Sequence, residues 1–130
     1  MKRLLGIVVI ALLAASCHNK VREEFLASPD ICLEENGKVL LTYNPLTCQI
    51  SRNTSKMQYR IMDDTMSRYY MLTLRQMPES VGQTVVADLR WSTGVSVENY
   101  SALEFTVEKL ESGQVWLWNS RRKIAVSVIL

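Results

Sequence analysis

The stretch TVVADLRW (residues 84–91) decides the fold, because apolar and polar side chains alternate along it with a period of two. The apolar side of this pattern carries Val85, Ala87, Leu89 and Trp91. Successive side chains of an extended strand point to opposite faces of a sheet, whereas a helix has a longer repeat. The stretch therefore predicts a β-strand with one buried face.

The same alternation recurs from residue 38 to the C-terminus, in segments separated by short polar turns. Residues 38–43 and 48–50 flank Asn44-Pro45 and are expected to form a hairpin, while residues 95–102 fit either an edge strand or a loop. The connections are too short for crossover helices, so about seven or eight antiparallel strands are expected. These features predict an all-β fold, a β-sandwich, with a small β-barrel as the alternative. The only helical segment expected is a turn near Glu23 to Ala27.

The first 17 residues have a different character. Lys2 and Arg3 precede an apolar run over residues 4–15, which ends at Ser16-Cys17. This run is shorter than the roughly 20 residues that a membrane-spanning helix needs. The pattern predicts a cleaved export signal.

The end of this signal, Leu13-Ala14-Ala15-Ser16-Cys17, resembles the lipobox of bacterial lipoproteins, although Ala14 stands where leucine is commonest. The resemblance implies that Cys17 is acylated and becomes the first residue of the mature chain. His18 in place of aspartate implies outer-membrane localisation, and residues 20–24 resemble the export tags of Bacteroidetes surface lipoproteins. The expected partner is therefore a membrane, contacted through the N-terminal lipid.

The expected organisation is a signal peptide over residues 1–16, a lipidated cysteine and tether over 17–36, and one all-β domain over 37–130. The chain carries 15 Lys and Arg against 13 Asp and Glu, and removal of Lys2 and Arg3 with the signal leaves 13 of each. A balanced chain lacks the basic surface that neutralises a series of phosphates, so nucleic acid is not an expected partner.

Cys32 and Cys48 remain once Cys17 is assigned to the lipid. In an oxidising compartment they are expected to form a disulfide, which would stabilise the fold by roughly 3 kcal/mol for a loop of about 17 residues. Two free thiols or a metal site are the alternatives. Two cysteines without a neighbouring histidine do not make a zinc site, so no metal is expected.

The sequence offers little for catalysis. Its single histidine, His18, directly follows the lipidation site, which excludes a serine or cysteine nucleophile with a histidine base. Paired carboxylates remain a possibility, but Asp63-Asp64 has the character of a turn. We therefore expect no enzymatic activity and no cofactor.

Three further features are candidate sites. Trp91, Trp116 and Trp118 could stack on sugar rings, although core packing is the favoured explanation and an exposed pair of Trp116 and Trp118 could equally mark a protein contact. Asp64-Thr65-Met66 resembles the O-glycosylation site of exported Bacteroidetes proteins, which makes Thr65 a candidate acceptor. The cluster Arg121-Arg122-Lys123 is expected at a hairpin tip, either as a solvated turn or as a contact for anionic lipid or polysaccharide.

These observations predict a non-enzymatic, lipid-anchored outer-membrane lipoprotein with a β-rich interaction or accessory domain. The alternative is a carbohydrate-binding module of a polysaccharide-handling system. Its partner would be a carbohydrate or an envelope protein.

Overall fold

A computed structural model describes residues 23–65 and 67–130. The signal peptide and Cys17 lie outside the described residues. Residues 23–27 form a short helix, α1, where the sequence predicts a helical turn. Nine strands follow: β1 (Ile31–Glu35), β2 (Lys38–Tyr43), β3 (Gln49–Asn53), β4 (Gln58–Met62), β5 (Arg68–Leu74), β6 (Thr84–Thr93), β7 (Val97–Glu111), β8 (Gln114–Asn119) and β9 (Ile124–Ile129).

The nine strands form one antiparallel sheet in the order β2-β1-β9-β8-β7-β6-β5-β4-β3. From β3 to β9 the chain is a simple meander, and β1 inserts between β2 and β9. The sheet curls into a half-barrel, so that β4 approaches β9 and β2 approaches β5. The all-β prediction is confirmed, with nine strands in place of seven or eight and a single curled sheet in place of two packed sheets.

The predicted hairpin across Asn44-Pro45 is wrong. The sheet has nine antiparallel strands, so its two edge strands, β2 and β3, run in the same direction. Two strands with the same direction cannot pair as a hairpin. The chain passes from one edge to the other through a tight turn, in which the Asn44 carbonyl accepts from the Thr47 and Cys48 amides at 3.1 and 3.0 Å. β2 therefore pairs with β1, and β3 with β4.

The main core lies on the inner face of the curl. The four apolar residues of the stretch 84–91 are all buried there, as the alternation predicts. Two tyrosine hydroxyls tie together strands that are far apart in the sheet. Tyr70 on β5 donates to the Ser127 carbonyl of β9 at 2.7 Å, and Tyr43 on β2 donates to the Arg68 carbonyl of β5 at 2.6 Å.

The folded part begins earlier than residue 37, because β1 is an internal strand of the sheet. Ile31 and Leu33 are completely buried in the main core. Cys32 points to the outer face, where α1 covers it. Both faces are therefore apolar at the start of β1, and the period-two alternation that marks β6 is missing here.

The predicted disulfide between Cys32 and Cys48 is wrong, since both residues are free cysteines. Cys32 belongs to the outer cluster beneath α1, whereas Cys48 packs against the main core on the inner side. The two side chains therefore lie on opposite sides of the curled sheet. A disulfide needs two side chains that point toward each other.

Burial raises the pKa of the Cys32 thiol from 9.0 to about 12, with a further contribution from Glu34. The thiol of the unfolded chain loses its proton at a lower pH than the thiol of the folded chain. The contribution of Cys32 to the free energy of unfolding is therefore fully present below pH 9 and is lost as pH rises toward 12. We expect Cys32→Ala to flatten the decline in unfolding free energy between about pH 9 and 12. Urea denaturation in reducing buffer measures this slope. Cys48→Ala is the control, because the more exposed Cys48 should change the slope less; an unchanged slope in Cys32→Ala would contradict the assignment.

Candidate functional site

The three tryptophans do not share a surface. Trp91 is buried in the main core on the inner face, with its ring centroid 5.3 Å from that of Tyr100. Trp116 and Trp118 lie on the outer face of β8, opposite Val115 and Leu117, as the sequence pattern predicts.

The outer face around Trp116 is covered by α1. Phe25 packs into a small cluster with Cys32, Trp116 and Ala125, and Trp118 packs at its margin. Trp116 is only 5% exposed, and its indole nitrogen has no hydrogen-bond partner among the described residues. The tryptophan face therefore holds a segment of the same chain, and no flat aromatic platform is open there.

Lys109 fixes the C-terminal end of α1 to the sheet. Its ammonium group donates to the Leu26 carbonyl at 2.9 Å and lies 4.5 Å from the centre of the Trp116 ring. A cation at the end of a helix interacts favourably with the unpaired carbonyls and with the helix dipole. The same ammonium group lies 3.4 Å from Glu111.

Two acidic side chains of the domain, Asp63 and Asp88, have structural partners. Asp88 accepts from the Ala102 amide at 2.8 Å and from Arg75 at 3.0 Å, and these bonds lower its pKa against a smaller opposing effect of desolvation. Asp63 is subject to an opposing desolvation effect, but bonds from Arg68, Thr65 and Ser67 lower its pKa. Both groups are held as carboxylates that brace the backbone.

Thr65 lies in the exposed turn between β4 and β5. Its hydroxyl donates to Asp63 at 2.9 Å and lies 2.7 Å from the Ser67 hydroxyl. Met66, the third residue of the glycosylation-like motif, is outside the described residues.

An open groove of about 620 Å³ lies between β7 and the turn that joins β8 to β9. The turn places Arg121 and Arg122 at this groove, which agrees with the predicted hairpin tip. The lining residues are Ser101, Ala102, Leu103, Glu104, Asn119, Ser120, Arg121 and Arg122. The groove combines two guanidinium groups with hydroxyl, amide and carboxylate groups, and we regard it as the candidate functional site.

A β-bulge forms one wall of the groove. Ala87 pairs with Leu103 and Leu89 pairs with Tyr100, so Ser101 and Ala102 together stand opposite Asp88. Ala102 adopts a left-handed conformation with φ of 56°, which is uncommon for a residue other than glycine. The Asp88 carboxylate holds this conformation through the Ala102 amide. Bulges redirect side chains, and nothing in the sequence marks this one.

Asn119 holds the opposite wall. This buried residue donates from its side-chain amide to the Glu104 carbonyl at 2.8 Å and accepts from the Arg122 amide at 2.8 Å. The Lys123 carbonyl accepts from the Asn36 amide at 2.9 Å, which ties this turn to the turn between β1 and β2. The groove therefore has a defined shape before any ligand arrives.

Within residues 23–65 and 67–130, no group of three His, Cys, Asp or Glu side chains is placed to hold a metal ion. In the same part of the chain, no helix combines the length and apolar character needed to cross a bilayer. No family model matches the sequence, and no curated protein or solved structure matches it either.

Proposed function

We propose that this chain is a lipid-anchored, non-catalytic lipoprotein of the outer membrane, whose β-rich domain acts as an interaction or accessory module. The lipobox-like segment ending at Cys17 supports the anchor. The groove beside Arg121 and Arg122 supports a binding role, because it is a polar, pre-shaped concavity to which the fold contributes an unusual backbone conformation.

The observation that carries the anchored-domain proposal is the docking of α1. Phe25 and the Lys109 bond to Leu26 attach this helix to the sheet only a few residues after Cys17. A lipid on Cys17 would therefore hold the domain close to the membrane surface, since Cys17 lies six residues before Glu23, the first residue described in α1. Such a short separation in sequence suits a protein that acts on ligands or partners at that surface.

The hydrogen bonds of Asp63 and Asp88 support the proposal that the domain is not catalytic. Asp63 and Asp88 accept bonds from backbone amides, and each stabilises a turn or a bulge. A carboxylate pair that hydrolyses a glycosidic bond needs one group with a raised pKa to act as the acid. The pKa of both aspartates is instead lowered.

A carbohydrate-binding role is the second candidate function. It does not rest on the tryptophans, because Trp91 and Trp116 are buried. It rests on the groove, where hydroxyl, amide and charged side chains converge. An envelope protein that presents an acidic segment is the alternative partner for this surface.

Acylation of Cys17 can be tested by growing cells with an alkyne-labelled fatty acid. We expect the full-length chain to incorporate the label and to fractionate with membranes, because acyl chains hold a protein at a bilayer. Cys17→Ser should lose both properties. Cys48→Ser, which removes a partly exposed thiol of the folded domain, should keep both. Label on the Cys17→Ser chain, or an unprocessed N-terminus in mass spectra of the wild type, would refute the anchor.

A further inference from the structure

We infer that the groove between β7 and the turn from β8 to β9 binds an acidic saccharide, with the carboxylate or phosphate group of the sugar paired to Arg121 and Arg122. The inference rests on the binding role proposed above. It does not rest on acylation of Cys17, so the anchor and the ligand can fail separately.

The groove carries a net positive charge, because its lining holds two arginines and one glutamate. Arg121 and Arg122 are both exposed, and neither forms an ion pair with another described residue. Two other cations of the domain do form ion pairs, Arg75 with Asp88 and Lys109 with Glu111. Two adjacent free guanidinium groups at the edge of a concavity favour an anionic group, which arginine binds through paired N–H donors.

Arg122 is held in a binding geometry by Tyr100. Its guanidinium carbon lies 4.4 Å from the centre of the Tyr100 ring, and Tyr100 in turn contacts Trp91 in the core. Stacking occupies the face of the guanidinium and leaves its N–H edge available for hydrogen bonds. The side chain therefore loses less freedom when it binds an anion, which favours affinity.

The other lining groups indicate a saccharide as the carrier of the negative charge. Ser101, Ser120 and Glu104 add hydroxyl and carboxylate groups that pair with sugar hydroxyls. A flat bilayer of anionic phospholipids would not match a concave groove. A ligand that carries both hydroxyl groups and an anion satisfies the whole lining.

The test uses the mature chain from residue 17 with Cys17→Ser, so that it is soluble, and measures binding by calorimetry. The probes are polygalacturonate, which carries carboxylates, phosphorylated mannan, which carries phosphates, and neutral dextran. We expect at least one acidic polymer to bind, with affinity that falls as ionic strength rises, and dextran not to bind. The acidic polymer that binds identifies the anionic group.

The variant Arg121→Ala, Arg122→Ala should weaken this binding at least about tenfold, since charge-assisted bonds at an ordered site are the strong ones. Arg122→Lys keeps the charge but loses the planar stack on Tyr100, and it should weaken binding by a smaller factor. The matched control is Arg52→Ala, Arg90→Ala, which removes the same charge from exposed positions outside the groove and should leave binding unchanged. Circular dichroism and thermal melting establish that each variant is folded.

Three results would overturn the inference. The first is that neither acidic polymer binds, including the case in which only phosphatidylglycerol vesicles do. The second is equal binding by the folded groove variant and the wild type. The third is an equal loss in the control, which would show a general effect of net charge.

Discussion

Deletion of residues 124–130 is expected to abolish folding of the domain. β9 lies inside the sheet and pairs with both β1 and β8, so its loss would also detach the β1–β2 hairpin. Ile124, Val126 and Val128 are completely buried. Burial of each such side chain contributes about 1.5–3 kcal/mol, and together with two strand ladders this approaches the whole stability of a typical domain, about 5–15 kcal/mol.

Circular dichroism and urea denaturation measure this outcome, with loss of the strand signal and of the cooperative transition as the expected result. The control is deletion of Leu130 alone. Its amide donates to the Gly113 carbonyl at 2.7 Å outside the strand ladder, so its removal should cost about 1 kcal/mol and preserve the fold. A cooperative transition in the longer deletion would show that β9 is dispensable.

Most strands could be predicted because the curl buries only one face of them. β6 and β7 show the expected alternation, with Val85 and Phe105 inside and the side chains next to them in sequence outside. A sheet with one covered face imposes a period of two on the sequence, and that period is visible without any knowledge of strand order.

β1 escaped prediction although a local signal for it exists. Asn36 and Gly37 have φ of 54° and 77°, which suits the two central residues of a tight hairpin turn, and Asn-Gly is a strong hairpin dipeptide. This turn joins β1 to β2. Asn44-Pro45 has an equally turn-like composition, but the chain there continues to the other edge of the sheet. Turn residues indicate a change of direction and do not specify which strands pair.

The candidate groove could be anticipated only in part. The sequence identifies Arg121 and Arg122 as a basic turn, since charge and turn composition are local properties. Its other wall depends on the left-handed Ala102 and on Asp88, which are brought together by the register shift between β6 and β7. Register is a property of the assembled sheet, so a site formed by a bulge has no signature in a single segment.

The predicted disulfide was wrong for a related reason, because sequence spacing does not show on which face of a sheet a cysteine lies.

Substitution of Tyr70 is expected to have a large effect on the stability of the domain. Its side chain is completely buried, and its ring lies 6.2 Å from that of Tyr43. Its hydroxyl donates to the Ser127 carbonyl, which lies just beyond the last residue pair between β1 and β9. The Ser127 hydroxyl accepts from the Cys32 amide at 3.0 Å. The tyrosine therefore satisfies a buried acceptor and also fills the centre of the curl.

These two contributions can be separated. Tyr70→Phe keeps the ring but leaves the Ser127 carbonyl without its donor, which should lower the free energy of unfolding by about 1–3 kcal/mol. Tyr70→Ala also creates a cavity and should cost about 3–5 kcal/mol. Tyr69→Phe, on the neighbouring half-buried residue, should change stability by less than about 0.5 kcal/mol. Urea denaturation of the four chains measures the differences, and equal stability of Tyr70→Phe and the wild type would show that the bond to Ser127 contributes nothing to closing the sheet.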